Sequence, residues 1–340
     1  MVSEYCAEGK GGKTSEAQAA DSHNAHGNTS YYSNGSSFME WAWGTSFHVC
    51  RRYPGESMQQ AMIRHEHYLA LRLGLQPDQK VLDLGSGLGG PAREIARFAE
   101  VDVCGVEISA AQVQRATRLT EQAGQADRVR FVARDFTATH LENDSFDRAY
   151  SIEATCYASD LAAVYGEVFR LLKPGGILAV YELAMTDRYH ATRADHRACH
   201  QDLERVAGCP HLRTTAEVVD AMRAVGFELC AAEDLADAAA AGLLPWYQLI
   251  DGSFKWMGGA VETLAGGLVA AFLRLFSSRW GGRFLRVGEM FGVLDPGSRS
   301  RVMDMVRVMN AYRIAGEKKL VTPMFLMVAR KPKLGPMSSE

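Results

Sequence analysis

The sequence predicts an α/β protein built on a doubly wound, mostly parallel seven-stranded sheet. From residue 80 onward, short and nearly continuous apolar runs alternate with stretches of helical periodicity. This pattern is typical of strands that are covered by helices on both faces. A glycine-rich turn follows the first of these runs, and carboxylates recur at the ends of four of them. Because the carboxyl ends of parallel strands form the ligand crevice of such sheets, these features also indicate where a ligand binds.

The composition is that of a large globular chain. Its 340 residues are 47% apolar and carry a formal net charge of −3, so a sizeable core is available and nucleic-acid binding is not favoured. Seven cysteines are scattered without a Cys-x-x-Cys pair, which favours free thiols in a reducing compartment. The sequence shows neither a membrane-spanning apolar run nor a signal-peptide pattern, so a cytoplasmic protein is expected.

The N-terminal part of the chain predicts a tail followed by a lid. Residues 1–30 are rich in small and polar side chains and are expected to be disordered. Residues 31–75 are dense in aromatic side chains and close with a predicted helix over 57–74. Ser57 is the expected cap of this helix and Gly74 its stop. The aromatic density ahead of the fold proper favours a wall or lid over a substrate site.

The alternating core is predicted over residues 76–238. It begins with a strand over 80–84 and a helix over 91–99. The following elements, in order, are strand 101–107, helix 109–123, strand 128–136, strand 146–154, helix 160–172, strand 177–183, and a helix and strand within 214–235.

Residues 239–332 are predicted to form a C-terminal helical cap and a final strand. Within the stretch 239–310, the apolar side chains of VETLAGGLVAAFLRLF (261–276) cover much of the circumference of a helix, and Glu262 and Arg274 interrupt any membrane span. A helix packed on the core is favoured, while a substrate lid or a helix lying on a membrane surface is the alternative. The final strand is expected over 318–332, with a polar tail at 333–340.

The glycine-rich turn predicts a cofactor that carries a nucleoside and an amino group. Gly85, Gly87 and Gly89 follow the first strand, and such glycines let backbone N–H groups approach a ligand. Glu107 ends the second strand, where a carboxylate binds both hydroxyls of a ribose. Asp83 precedes the turn, where it would repel phosphate and suit an ammonium group. This Asp-x-Gly-x-Gly-x-Gly pattern is that of class I methyltransferases, and the predicted cofactor is S-adenosylmethionine.

Further cofactor contacts are predicted at the ends of neighbouring strands. Ser86 belongs to the turn, and Ile108 follows the ribose carboxylate. Asp135, with Phe136 beside it, is assigned to the adenine amino group, and a helix N-cap is its alternative role. Glu153 follows the fourth strand, close to the expected position of the methyl donor.

Taken together, these motifs resemble the sterol C-24 methyltransferase family from about Tyr31 to Pro332. The resemblance rests on FMEWAWGTSFH, GES, RHEHYLA, LDLGSGLGGPAREIARF, IEATC, LKPGG, YELAMTD, EDLAD, PWY and TPMFLMVARKP. It implies transfer of a methyl group from S-adenosylmethionine to the side-chain double bond of a Δ24 sterol. It leaves peripheral membrane contact and self-association open.

The chain departs from the family pattern at several positions. Glu107 stands within GVEIS, where the family has an Asn-rich segment, and Met39 and Ala42 stand where Tyr and Gly are common. Tyr157 follows IEATC in place of His, and VAGCPHL over 206–212 lacks the usual acidic residue. These changes leave the cofactor site intact and put the acceptor in question. The alternatives are another isoprenoid alkene such as squalene, and a lipid-binding protein without catalysis.

Methylation of an alkene creates a carbocation, so the site must exclude water, stabilise positive charge and remove a proton. Glu153 is the first candidate for the base, followed by His48 and Glu40. A hydrogen-bonding role for Glu153 and a structural role for His48 are the alternatives, and no metal is predicted. The aromatic residues predicted to line the acceptor site are Trp41, Trp43, Phe47, Tyr53, Tyr157, Tyr181, Trp246 and Tyr247.

Arg64 and Glu66 in RHEHYLA have two possible roles. They are either plain helix surface or the residues that hold the aromatic lid over the cofactor.

Overall fold

A seven-stranded sheet runs through the computed structural model. The structure describes Glu40, residues 44–207, Cys209, residues 211–237 and 242–249, Arg286, Met290 and residues 298–333. The predicted N-terminal tail and most of the predicted cap over 239–310, together with Trp41 and Trp43, lie outside these residues.

The described strands follow the order that the sequence predicts. The strands are β1 (Lys80–Leu84), β2 (Asp102–Glu107), β3 (Val129–Ala133), β4 (Phe146–Ile152), β5 (Leu172–Met185), β6 (Glu228–Asp234) and β7 (Val321–Arg330). The helices are α1 (Met58–Leu73), α2 (Gly90–Ala99), α3 (Ala110–Gln122), α4 (Leu161–Leu171), α5 (Ala194–Ala207), α6 (Thr215–Ala224) and α7 (Ser298–Glu317). Two short 3₁₀ turns span Thr155–Tyr157 and Trp246–Leu249.

The strand order in the sheet is β3-β2-β1-β4-β5-β7-β6. Strands β1 to β5 pair in parallel, and β7 runs antiparallel between β5 and β6. The chain begins in the middle of the sheet at β1, moves outward to β3 and resumes at β4 on the other side of β1. The order therefore reverses between β1 and β4, and the ligand crevice of a doubly wound sheet lies at the carboxyl ends of these two strands.

Local capping signals set the ends of α1, as predicted. The Ser57 side chain accepts a hydrogen bond from the Gln60 N–H, and the Gln60 side chain accepts one from the Ser57 N–H, so both form a capping box. Gly74 ends the helix in the left-handed conformation, with φ 61°. Because these signals are local in sequence, the helix was predictable to within a residue.

Helices cover both faces of the sheet. On one face, Leu69 and Leu73 of α1 and Ile95 of α2 pack on the strands, and on the other face Val164 of α4 and Met222 of α6 do so. A third apolar group lies at the carboxyl end of β5 and joins α5, α7 and the second 3₁₀ turn. We call it the cap cluster, and its buried members are Cys156, Leu183, Met185, Cys199, Leu203, Cys209, Leu212, Trp246, Ala315, Leu320, Val321 and Met324.

Three features of the fold differ from the predicted elements. The fifth strand, predicted over 177–183, spans Leu172–Met185, because Leu172 already pairs with Phe146 and a bulge carries the chain through the Pro-Gly-Gly stretch. Helix α5 was not predicted, because the segment is polar on average and only one face of the helix packs into the cap cluster. Helix α7 continues to Glu317, beyond the predicted end of the cap helices at 310.

Candidate active site

The glycine-rich turn closes the carboxyl end of β1. The N–H groups of Gly85 and Ser86 both donate to the carbonyl of Val106, at 2.8 and 3.1 Å. Gly85 has φ 75°, and a Cβ at this position would lie 2.3 Å from the Cβ of Ala154. A glycine is therefore required, because the turn packs directly against the residue that follows Glu153.

Glu107 lies next to this turn, where a ribose carboxylate was predicted. Its Oε2 accepts the N–H of Gly87 at 3.1 Å and its Oε1 accepts the N–H of Ser109 at 2.9 Å. Burial raises the pKa of Glu107, and the backbone N–H groups oppose this shift. Ile108 beside it is 50% exposed, so an apolar surface borders the carboxylate. Together they offer a hydrogen-bond acceptor for the ribose hydroxyls next to an apolar surface on which an adenine ring could pack.

Asp83 and Ser86 leave polar atoms without partners at the mouth of the turn. Both side chains are buried, and neither Asp83 Oδ2 nor Ser86 Oγ has a hydrogen-bond partner among the described residues. Burial raises the pKa of Asp83 to about 7, an effect that the Tyr150 hydroxyl opposes and Glu107 reinforces. An ammonium group would satisfy the orphaned oxygens and favour the ionised carboxylate. The residues present thus fit the amino-acid end of S-adenosylmethionine.

Asp135 and Phe136 follow β3, whose last residue is in register with Glu107. Asp135 is exposed, and its Oδ1 accepts both the N–H and the hydroxyl of Thr137, at 2.8 and 2.7 Å. This is a local turn role and not the helix N-cap that was considered as the alternative to adenine binding, because no described helix begins directly after Asp135. Phe136 is partly buried against the core cluster of α4 and α6. Both residues lie at the same edge of the sheet as the ribose carboxylate.

Glu153 stands at the carboxyl end of β4, across the crevice from the glycine turn. It adopts φ 51°, an uncommon conformation for a residue other than glycine, and its N–H donates to the carbonyl of Tyr181 at 2.9 Å. Its Oε1 accepts the N–H of Val49 at 2.7 Å, and no described residue donates to its Oε2. Burial raises the pKa of Glu153 to about 7, and the nearby His48 acts in the opposite direction. A carboxyl with one oxygen bound, and with no described donor to the other, is suited to accept a proton.

Residues 44–57, which we call the lid segment, pass over the crevice. The carbonyl of Thr45 accepts the N–H of Gly90 at the start of α2, at 3.2 Å. A Cβ on Gly90 would lie 2.4 Å from that carbonyl oxygen, so the close approach needs a glycine. Further along, the carbonyl of Arg52 accepts the N–H of Leu244 at 2.7 Å. The lid segment is thus tied both to the cofactor turn and to the chain that leads into the cap.

Helix α1 holds the lid segment from below, which is the second of the two roles considered for Arg64 and Glu66. Arg64 donates to the carbonyl of Arg51 at 2.7 Å and pairs with Glu56 at 2.8 Å. Glu66 Oε1 lies 3.0 Å from Nε2 of His48, and both side chains are buried. Neither Arg64 nor Glu66 is plain helix surface.

Glu40, predicted as a third candidate base, is placed differently. It forms an ion pair with Arg115 of α3 at 2.6 Å. This pairing anchors the chain just ahead of the lid segment to α3, and a carboxylate occupied in this way suits a tether better than a proton acceptor.

Several aromatic side chains surround the cap cluster. The ring of Trp246 packs edge-on against Tyr247 and Tyr312, with centroids 5.8 and 6.3 Å apart. Tyr157 packs against the same cluster from the 3₁₀ turn after Glu153. Three of the predicted acceptor residues, Tyr157, Trp246 and Tyr247, are therefore brought together at the cap cluster, which also contains Cys156, three residues after Glu153.

The other predicted acceptor residues are placed apart from the cap cluster. Phe47 and Tyr53 of the lid segment are 49% and 44% exposed, and the Arg64 guanidinium lies over the Tyr53 ring. Tyr181 is fully buried, stacked on His65 with centroids 3.9 Å apart, and its hydroxyl donates to the His65 carbonyl at 3.2 Å. The prediction that Tyr181 lines the acceptor site is corrected, because its ring is enclosed in the core and has no surface for a ligand.

Two contacts of the site were not predicted from the sequence. Glu182 accepts hydrogen bonds from Thr155 and from Tyr165, the latter at 3.2 Å, and so holds the turn that carries Glu153. The Val49 N–H is a backbone group and leaves no signal in a sequence. Glu66, by contrast, was considered for holding the lid, and it shares the buried face of α1 with Met62 and Leu69.

The chain is similar to known methyltransferase families and proteins. A family model described as a methyltransferase domain matches residues 75–231, and one described as sterol methyltransferase C-terminal matches residues 276–333. Sterol 24-C-methyltransferase erg6 of Aspergillus fumigatus is 40% identical over 307 residues, covering 89% of this chain and 78% of the relative. The corresponding ERG6 of Saccharomyces cerevisiae is 38% identical, covering 96% and 83%. Methyltransferase phqN of Penicillium fellutanum is 40% identical, covering 84% and 87%.

Solved structures show the same fold at low sequence identity. The [4+2]-cyclase SpnF superposes with a TM-score of 0.66 at 21% identity, covering 90% of this chain and 96% of that one. Geranyl diphosphate C-methyltransferase from Streptomyces coelicolor superposes with a TM-score of 0.61 at 16% identity, covering 86% and 91%. These similarities establish the architecture of the sheet and its helices.

Proposed function

The chain belongs to the sterol 24-C-methyltransferase family, and from this premise we propose that it transfers the methyl group of S-adenosylmethionine to C-24 in the side-chain double bond of a Δ24 sterol. The observation that carries the proposal is the position of Glu153. Its carboxyl stands across the crevice from the cofactor turn, with Oε1 bound to the lid segment. No described residue donates to its Oε2, and the 3₁₀ turn that begins two residues later brings Tyr157 to the aromatic cap cluster.

Three groups of described residues would hold three different parts of the cofactor. Asp83 and Ser86 would hold the amino-acid end, because their buried oxygens lack partners. Glu107 would hold the ribose hydroxyls, and Ile108, Asp135 and Phe136 would border the adenine. When bound, S-adenosylmethionine supplies an electrophilic methyl group that the π electrons of an alkene can attack.

The residues around the acceptor then manage the positive charge that the new carbon–carbon bond leaves on the sterol side chain. Tyr157 and Tyr247 are partly exposed beside the cap cluster, and aromatic faces stabilise a nearby cation. The lid segment limits the access of water, which would otherwise add to the cation. Glu153 Oε2 takes the proton that is lost when the new double bond forms, so that the Glu153 carboxylate becomes a carboxylic acid.

One arrangement favours a second candidate, namely methylation of another isoprenoid alkene. Tyr157 and the stretch 206–212, both departures from the family pattern, meet at the cap cluster through Cys209 and Leu212. Because this cluster is the proposed acceptor wall, a change in its lining would alter which side chain fits. A linear alkene such as squalene is the acceptor that this second candidate predicts.

A direct test incubates the protein with methyl-labelled S-adenosylmethionine and paired acceptors, a Δ24 sterol and squalene, and identifies the products by mass spectrometry. Label in the sterol side chain is the expected result. Label in squalene alone would replace the sterol by the second candidate. Binding of the cofactor without label in either acceptor would contradict both.

We also propose peripheral contact with a membrane surface, from which a sterol must be drawn. None of the described helices is long and apolar enough to cross a bilayer. The proposal is supported by the exposure of Phe47 and Tyr53, at 49% and 44%, on the lid segment. Co-sedimentation with sterol-containing vesicles should fall for the Phe47→Ser, Tyr53→Ser double variant, and unchanged co-sedimentation would contradict it.

A further inference from the structure

A buried pair of ionisable groups lies beneath the lid segment. His48 Nε2 and Glu66 Oε1 are 3.0 Å apart, and each side chain is only 1% exposed. Taking two such groups out of water costs free energy that their attraction only partly returns, so a buried pair is weak evidence for stability. A role in fixing a particular geometry accounts for it better.

The residue after His48 carries that geometry into the active site. Val49 donates its N–H to Glu153 Oε1 at 2.7 Å. The peptide group that joins His48 to Val49 is planar, so anchoring the His48 ring restricts the direction in which this N–H points. The bond from Glu66 to His48 therefore helps to decide which Glu153 oxygen is occupied and which is free.

Electrostatic interactions also link this pair to Glu153. Burial lowers the pKa of His48, but Glu66 and Glu153 outweigh burial and raise it. His48 in turn lowers the pKa of Glu153, while Glu182 raises it. The His65 ring, 5.6 Å from that of His48, has its pKa lowered well below the ordinary value by burial and stays neutral. The other charged or titratable groups that face Glu66 are Cys50, Asp83, Arg93 and Tyr150.

We propose that Glu66 is a positioning residue for the reaction: it holds His48, and through His48 the Val49 N–H, so that Glu153 keeps Oε1 bound and Oε2 free for the acceptor proton. This inference rests on the proposed function of Glu153 as the base. Because the Glu66 side chain is only 1% exposed and bonds to His48, it acts through His48 and is not a catalytic residue.

The test compares two substitutions at Glu66 in the full-length protein. Glu66→Leu removes the bond to His48 at similar volume, and we expect kcat to fall about 10- to 100-fold, as a small misplacement of a reacting group does. Glu66→Gln keeps an acceptor but removes the charge. Because His48 is then neutral and no longer lowers the pKa of Glu153, the acid limb of the kcat–pH profile should move to higher pH. The Kd for S-adenosylmethionine should stay within about twofold, and Glu66→Asp should recover part of the loss.

The matched control is Glu94→Gln. It removes the charge from a His67–Glu94 pair, 2.6 Å apart, that also involves α1 but lies outside the active site, and it should leave kcat and the pH profile unchanged. If Glu66→Leu fails to fold, His48→Gln replaces it, since glutamine can still donate to Glu66 but carries no charge. That variant should show the same shift of the acid limb.

Two failures are distinguishable. An active wild type whose Glu66 and His48 variants keep its kcat and acid limb would overturn the positioning role alone. A wild type that binds the cofactor but methylates neither a Δ24 sterol nor squalene would overturn the proposed function, and the positioning role with it.

Discussion

Glu153 concentrates the chemistry of the site in one side chain. Its backbone is held in the left-handed region with φ 51°, and such conformations persist where the surrounding structure enforces them. Two hydrogen bonds hold this conformation: the Glu153 N–H donates to the Tyr181 carbonyl, and Thr155 in the following turn donates to Glu182. A carboxyl placed with this much constraint, and with a pKa of about 7, is poised to exchange a proton near neutral pH.

The substitution Glu153→Gln tests the role of this residue as base. The amide side chain would still accept the Val49 N–H but could not take a proton, so kcat should fall by roughly 100- to 10,000-fold. The Kd for S-adenosylmethionine should stay within about threefold, since the cofactor is held mainly by other residues. Steady-state kinetics and calorimetry check the two expectations. An unchanged kcat would remove Glu153 from the chemistry.

Glu107 should affect the cofactor and leave the acceptor untouched. Glu107→Ala removes the proposed acceptor of both ribose hydroxyls and frees the N–H of Gly87, which it now binds at 3.1 Å. Charge-assisted hydrogen bonds of this kind are worth about 1.5–3 kcal/mol, so the Kd for S-adenosylmethionine should rise about 10-fold or more. Calorimetry measures the change, and Glu121→Ala on the exposed face of α3 is the control. Equal affinity in both variants would exclude the ribose role.

At the scale of elements, the lid segment is bonded to the chain that leads into the cap, and the two form one wall of the proposed acceptor site. Arg51 donates to the carbonyls of Leu243 and Leu244, at 2.9 and 3.3 Å, and the carbonyl of Arg52 accepts the N–H of Leu244. The 3₁₀ turn that carries Trp246 begins directly after these residues. The position of the aromatic wall thus depends on bonds between segments almost 200 residues apart in the chain.

Arg51→Ala should loosen this wall. We expect the KM for the acceptor to rise several-fold, with the Kd for S-adenosylmethionine within about twofold, because the lost bonds hold the acceptor side alone. Arg51→Lys, which cannot make both bonds in the same geometry, should recover only part of the effect. Arg72→Ala, which removes an ion pair with Glu233 on the far side of α1, is the control. An acceptor KM that does not change would show that the two segments do not share the wall.

The elements that sequence reasoning found are those with local signals. Ser57 and Gly74 mark the ends of α1, and the turn after β1 has glycines where positive φ and close packing require them. The extent of β5 could not be predicted, because its first residue joins the sheet through pairing with Phe146. The pairing of Glu40 with Arg115 and the enclosure of Tyr181 likewise depend on residues far away in the chain.

At the scale of the whole molecule, the active site is a concentration of buried carboxyls. Burial raises the pKa values of Asp83, Glu153 and Glu182 to about 7 each. An unfolded chain ionises such groups near pH 4, whereas the folded protein keeps their protons up to about pH 7. The folded state therefore binds more protons in that window, and these three groups lower the free energy of unfolding as the pH rises through it. This loss of stability arises from carboxyls that lie at the proposed cofactor and acceptor sites.

Binding of the cofactor should stabilise the folded protein by an amount that depends on pH. An ammonium group beside Asp83 favours its ionised form, so binding S-adenosylmethionine at pH 6 should release a proton from Asp83, and the cofactor should raise Tm more at pH 8 than at pH 6. Calorimetry in two buffers of different ionisation enthalpy counts the protons, and the count should fall in Asp83→Asn. Glu182→Gln is the matched control: its carboxyl is equally buried with a similarly raised pKa, but it binds Thr155 and Tyr165 instead of facing the cofactor turn. If Asp83→Asn and the wild type release the same number of protons, the ammonium group does not bind at Asp83, and the orphaned oxygens there serve another ligand.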